Sequence, residues 1–263
     1  MLNYNDIGYS ILEMSHRSSE FTKIINESEK LLRELLEVPS NYKILFLQGG
    51  ATGQFAAVPL NLINRNPNKK ADYVVTGTWS SKAVEEAKKY GNIREVFPRL
   101  KPFTHIPDSN SWKFDSEASY VYYCDNETIH GVEFSDIFDT PSHVPIVCDM
   151  SSNFLTRKVP VSKFGLIYAC AQKNLGCAGI TVVIIRDDLL NYALPETLTI
   201  LNYKLQSDNN SLYNTPSTFS IYTSFLVLQW LKEKGRVKKL EEISAAKSEL
   251  LYNVLEKSNG FYK

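Results

Sequence analysis

Lys173 follows the apolar run Leu166–Ala171 and precedes Gly176 and Gly179, which puts a long amine at a strand end where the backbone can closely approach a ligand. An amine partly removed from water gives up its proton more readily and can condense with an aldehyde. Most lysines are solvated surface charges, and a lone lysine is read that way. Asp149 ends another apolar run that begins at Ile146. A carboxylate there can keep the ring nitrogen of a pyridoxal cofactor protonated, which makes the ring an electron sink. Trp79 can cover a ring face, or serve as a partly buried aromatic. The turn Gly49-Gly50-Ala51-Thr52-Gly53 opens a helical pattern, offering free backbone N–H groups and the positive end of a helix dipole to a phosphate. It lacks the Lys-Ser/Thr of a P-loop and the spacing of a dinucleotide fingerprint, so a plain tight turn is an equal reading.

Each of these residues comes just after an apolar run, where ligands bind in α/β sheets. The other segments so placed are Asn126–His130 and Asp149–Asn153. Runs bounded by turn residues predict strands at Lys43–Leu47, Tyr73–Thr76, Ile93–Phe97, Tyr120–Cys124, Ile146–Asp149, Leu166–Ala171 and Thr181–Ile185. Helical spacing predicts Phe21–Leu36, a helix carrying Phe55, Val58 and Leu62, and helices at Lys82–Tyr90, Ile221–Lys234 and Val237–Glu256. Strands without clean alternation, mixed with helices, define an α/β class: a mostly parallel sheet with helices on both faces. After the turn Ser258-Asn259-Gly260, Phe261-Tyr262 suits the start of a further strand.

Twenty-nine basic residues balance 29 acidic ones, which removes the electrostatic footprint of a nucleic-acid or anionic-membrane binder and leaves a small polar or anionic substrate open. Apolar stretches such as Gly179–Ile185 fall well short of the roughly 18 residues of a membrane span. The opening residues form neither a basic segment nor an apolar run, so no secretory signal is read and the expected location is cytoplasmic. Cys124, Cys148, Cys170 and Cys177 lie in or beside apolar runs with no CxxC pair, which predicts buried free thiols rather than a zinc site or disulfides.

Longer motifs are more specific. The segments Glu13-Met14-Ser15-His16-Arg17-Ser18, Gln48-Gly49-Gly50 with Gly53-Gln54-Phe55, and Val58-Pro59-Leu60-Asn61 are followed in order by Asp72–Gly77, Asn126-Glu127-Thr128, Cys148–Asn153, Ala171-Gln172-Lys173-Asn174 and Leu212–Pro216. Together, from about Gly8 to Tyr262, they closely resemble the phosphoserine aminotransferase family. The resemblance implies a fold-type-I pyridoxal-phosphate enzyme of the class V aminotransferase group. It would move an amino group between L-glutamate and 3-phosphohydroxypyruvate, giving O-phospho-L-serine and 2-oxoglutarate in serine biosynthesis.

By that resemblance Lys173 binds the cofactor and shuttles the proton at Cα, Asp149 partners the ring nitrogen, and Trp79 stacks on the ring. Thr128 stands beside the phenolic oxygen, while Ala51, Thr52 and Gln172 take the phosphate. Asn214 and Thr215 reach the same phosphate from the other subunit, which implies a homodimer with shared sites. Arg17 grips a substrate carboxylate, a task for a planar bidentate donor. His16 and His130 are candidates for substrate phosphate, with ordinary hydrogen-bonded packing as the other reading. Family members carry a Gly-Pro-rich segment before the Gly8–Met14 region and a small α/β domain after Gly260. The expected organisation is thus a cofactor domain with dimer contacts over 1–235, then a connecting helix and the start of a shortened small domain over 236–263. A shortened, impaired form that dimerises or binds cofactor without efficient turnover is the alternative. A third reading, a cysteine desulfurase, requires a cysteine on a mobile loop.

Overall fold

The computed structural model of the protein describes residues 3–262. Its sheet is built from β1 (Tyr42–Leu47), β2 (Lys70–Val74), β3 (Asn92–Glu95), β4 (Val121–Cys124), β7 (Ile146–Asp149), β8 (Phe164–Cys170) and β9 (Thr181–Arg186). The strands lie in the order β1-β9-β8-β7-β4-β2-β3. Only β9 runs against its neighbours; the pairs from β8 through β7, β4 and β2 to β3 are parallel. A separate two-strand hairpin joins β5 (Asn126–Glu127) to β6 (Val132–Glu133).

Both faces of this sheet are buried, which is why the strands read as near-continuous apolar runs. Along β1, Ile44 and Phe46 enter one core while Leu45 and Leu47 enter the other. The first core lies under α1 (Ser19–Leu35) and α5 (Thr218–Glu233), with Phe21, Ile24, Leu32, Ile221 and Leu228 packed on Tyr123, Ile167 and Val182. The second lies under α2 (Gly50–Leu62) and α3 (Thr78–Ala87), with Phe55, Val58, Ala83 and Val84 on Tyr73, Tyr122 and Val183. Ser18 starts α1 by accepting the Phe21 N–H at 3.1 Å, a normal N-cap.

Several boundaries differ from expectation. β2 begins at Lys70 rather than Tyr73, since the buried Asp72 in its middle is matched by a bidentate Arg94 on β3 (2.9 and 2.7 Å). The short helix α4 (Tyr203–Asp208) is an addition, capped by the Asn202 side chain accepting from Leu205 N. Phe261 and Tyr262 form no strand; Phe261 N instead donates back to Ser258 O in a turn. The last helix, α6 (Arg236–Glu256), buries Val237 near its start, whereas the expected apolar face further on stays open, with Leu250 71% and Val254 56% exposed. Cys124, Cys148 and Cys170 are buried, Cys177 is half-buried, and all four are free. Among the described residues no helix is long and apolar enough to cross a membrane.

Candidate active site

The carboxyl ends of β4, β7 and β8 point to the same edge of the sheet as the start of α2. Parallel pairing aligns β4, β7 and β8, and two antiparallel pairings across β9 give β1, which leads into α2, the same direction. Between them lies a cleft of about 330 Å³, lined by Ala51, Thr52, Trp79, Thr128, Asp149, Gln172 and Lys173 among others. Residues more than 120 positions apart in sequence are thus brought to one cavity by chain topology alone.

Asp149 is the last residue of β7 and only 4% exposed. Its Oδ1 accepts the Ser151 N–H at 2.8 Å. Burial pushes this carboxyl above its ordinary range, opposed by hydrogen bonding from Ser151 and Tyr168. Among the described residues no cationic side chain lies within 4.0 Å of it, so a buried acid faces the cleft without a charge partner. Lys173 comes from the turn after β8 and is exposed at the cleft wall, rather than partly withdrawn from water as its sequence context implied. Its turn is tied to the sheet at the base, where Ala171 N donates to Ile180 O at 3.1 Å, and on its flank, where Asn174 Nδ2 donates to Ser152 O at 2.9 Å.

Trp79 sits in the first turn of α3, half-buried, and its Nε1–H donates to Thr128 Oγ1 at 3.1 Å. Lys82, one helical turn on, lies over the indole with its Nζ 4.9 Å from the ring centroid, a cation–π contact. At the start of α2, Gly49 and Gly50 adopt φ values of +100° and +64°, the left-handed region that favours glycine. They turn the chain from β1 into α2, whose N-terminus receives no side-chain cap, leaving first-turn N–H groups beside Ala51 and Thr52 open to an anion.

Other expected residues stand outside this cleft. Arg17 and His16 precede α1 and do not line it. Asn214 is held by its own chain, donating to Gln48 Oε1 (3.1 Å) and accepting from Gln206 Nε2 (3.0 Å). Thr215 beside it is exposed and likewise not a lining residue. His130 packs its ring on Phe103 and pairs its Nε2 with Thr78 Oγ1 at 2.8 Å, so it is engaged in hydrogen-bonded packing. Ser151, Ser152, Asn126, Cys124 and Cys170 line the cleft without having been assigned roles from sequence; the first three stood in the polar segments singled out after strands. Burial pushes the thiols of Cys124 and Cys170 upward, which makes these two poor nucleophiles. A larger neighbouring cleft of about 620 Å³ shares Thr52, but its Arg99 is paired with Glu95 and Glu85 and its Lys89 with Glu86.

The Aminotransferase class-V family matches residues 2–263. The phosphoserine aminotransferase of Drosophila melanogaster is 55% identical over 262 residues, covering 100% of this chain and 71% of that protein. The solved phosphoserine aminotransferase of Bacillus circulans subsp. alkalophilus superposes with a TM-score of 0.95 at 40% identity, covering 100% of this chain and 72% of that one. The pyridoxal-phosphate-bound enzyme of Trichomonas vaginalis gives a TM-score of 0.92 at 41% identity over 98% of this chain and 72% of its own. With fold, cleft and sequence in agreement, the chain belongs to the class-V aminotransferases and groups within them with the phosphoserine aminotransferases.

Proposed function

We propose that the cleft binds pyridoxal phosphate and that the protein transfers an amino group between L-glutamate and 3-phosphohydroxypyruvate, yielding 2-oxoglutarate and O-phospho-L-serine. The observation that carries this reading is Asp149: a buried acid without a cationic partner among the described residues, on the wall of the same 330 Å³ cleft as the amine of Lys173. A cofactor with a protonated ring nitrogen answers that acid, an aldehyde answers that amine, and a phosphate answers the uncapped start of α2. The residues present therefore fit the group.

Pyridoxal phosphate, when bound, supplies an electron-withdrawing ring that stabilises the negative charge left at an amino acid's Cα. The chain's own groups do the rest. Asp149, in its ionised form, holds the proton on the ring nitrogen. Lys173 Nζ would hold the cofactor through its aldehyde carbon and, once the substrate amine has taken that place, would be free to carry the proton to and from the substrate Cα. Trp79, its indole held by Thr128 Oγ1, would cover the ring and keep water from that face, and Thr128 would stand by the phenolic oxygen. Ala51 and Thr52 at the start of α2, with Gln172, bind the phosphate. Arg17 binds a substrate carboxylate and His16 lies beside it. Asn214 and Thr215, which do not line the cleft of their own chain, serve the site of a second copy in a cytoplasmic homodimer. Residues 1–235 form the cofactor domain and 236–263 lead out of it.

Incubation with pyridoxal phosphate, borohydride reduction and peptide mapping test the assignment. The expected adduct is on Lys173, with 2-oxoglutarate formed from glutamate and 3-phosphohydroxypyruvate. An adduct mainly on another lysine, such as Lys163, or undiminished labelling of a folded Lys173→Ala variant, refutes it.

A further inference from the structure

Trp79 is held by a residue that lies outside the cleft. Helix α3 starts after Gly77, which has no side chain with which to cap it. The cap comes from β5, 50 residues further along the chain, where Glu127 is completely buried at 0% exposure. Glu127 Oε2 accepts the Trp79 N–H at 2.8 Å, while Oε1 accepts from Ser80 N at 2.8 Å and from Ser80 Oγ at 2.5 Å. Ser80 Oγ also accepts the Thr76 and Gly77 N–H groups (3.1 and 3.2 Å), so one carboxylate and one hydroxyl take the N–H groups of Thr76, Gly77, Trp79 and Ser80 at the turn into α3. The next residue, Thr128, holds the other end of Trp79 through Nε1. Two consecutive residues of one short segment thus grip the tryptophan at its backbone and at its ring. Space for the carboxylate is reserved: a Cβ on Gly77 would collide with the Glu127 side chain.

We infer that Glu127 is the positioning residue for Trp79, setting the plane of the indole against the cofactor by fixing the backbone from which it projects. This rests on the cofactor reading above. A helix's first turn frays readily when its donors lack partners, and fraying there tilts a ring that must lie parallel to another. A negative charge at the N-terminus of a helix also opposes that loss.

The Glu127→Gln variant tests it. It keeps the shape but turns one acceptor oxygen into an amide donor facing either the Trp79 or the Ser80 N–H. Trp79 is read by near-UV circular dichroism of cofactor-free protein, with the Trp79→Phe spectrum subtracted. Pyridoxal phosphate affinity is titrated with and without the Glu127 exchange, in the parental protein and in a Trp79→Ala variant, which has no ring to position. The expected result is native far-UV dichroism, a weakened Trp79 signal and an affinity lowered about tenfold to a hundredfold, as when a charged hydrogen bond to a buried group is lost. In the Trp79→Ala background the same exchange should change affinity by less than about twofold, because coupled residues are not additive. An unchanged Trp79 signal, or equal losses in both backgrounds, overturns the inference. If the protein took up no cofactor at all, the functional reading would fail, while the Trp79 signal would still decide the role of Glu127. Should Glu127→Gln not fold, Glu127→Asp, which withdraws the carboxylate by one methylene, is judged by the same readouts.

Discussion

Replacing Asp149 by Asn should separate stability from catalysis, and the two should move in opposite directions. The side chain is 4% exposed and its Oδ1 accepts one backbone N–H, a bond the amide carbonyl can keep. The variant thus loses charge at nearly constant volume. Burial raises the pKa of this acid, so the cofactor-free folded state binds a proton that the unfolded chain has released at the same pH. Its contribution to stability consequently falls as pH rises from the ordinary carboxylate range through the raised folded value. The neutral amide of the Asp149→Asn variant carries no such dependence. The cofactor-free variant should match the parent near pH 4 and equal or exceed it at pH 8, where a gain of about 1 kcal/mol would appear as roughly 2–4 °C in Tm. Catalysis should move the other way. Removing one preorganised charged group typically costs about 10²- to 10³-fold, or about 2.7–4 kcal/mol, and kcat/KM for glutamate-dependent conversion of 3-phosphohydroxypyruvate should fall by at least about 10². Thermal melts of both cofactor-free proteins across pH 4–8, alongside steady-state rates, make the comparison. A variant that turns over at the parental rate refutes the electron-sink role. A variant whose stability deficit grows with pH shows instead that the fold favours the ionised acid, contrary to its burial.

Two further outcomes follow from groups around the site. Arg157 donates to the buried Asp125 Oδ2 at 2.6 Å, so Arg157→Met should leave that acid without its cation and cost about 2–3 kcal/mol, since Asn153 still donates to it at 2.5 Å. The deficit, read by urea titration, should shrink as pH falls and the orphaned acid takes up a proton; a deficit independent of pH would show that the loss is one of packing. Gly179 combines φ +126° with a Cβ position that would collide with Ser220 Oγ, so Gly179→Ala should destabilise the fold by about 1–3 kcal/mol. Adding Ser220→Ala should return only part of this, because the backbone strain remains; full recovery in melts of the double variant would show that the clash is the entire cost.

What could be read from the residues was the set of strand ends, and what could not was anything supplied from a distance. The strand at Ile146–Asp149 falls where the apolar run ends because both sheet faces are buried there. Helix α3 starts at Thr78, four residues before the expected start at Lys82, because the N-cap position is Gly77, which has no side chain, and the cap comes from the distant Glu127. Asp72 interrupts an apolar strand, and its burial is explained by the register that sets Arg94 opposite it together with the Asp115 N–H that its Oδ2 accepts. The motif resemblance named Asp149, Lys173, Trp79, Thr128, Ala51, Thr52 and Gln172, which the fold gathers around one cleft. It also named Arg17, His16, Asn214 and Thr215, which do not line that cleft; Asn214 and Thr215 were assigned to the site of the other subunit, whereas nothing in the motif set Arg17 and His16 apart from the residues the fold gathers.

The reversed direction of β9 has a consequence for timing. Because β9 runs antiparallel to β8, the segment carrying Lys173 leaves and re-enters the sheet at the same edge, closed at its base by Ala171 and Ile180. The loop is therefore a short tethered arch rather than a long crossover, and its closure cost is met when the sheet forms. Lys173 lies two residues from that anchor, so its Nζ is relocated by rotation about side-chain bonds, which takes picoseconds to nanoseconds at an exposed position. Lids that open and close act on the microsecond-to-millisecond scale. On the role proposed for Lys173, proton delivery by its amine would draw on side-chain rotation rather than on backbone motion.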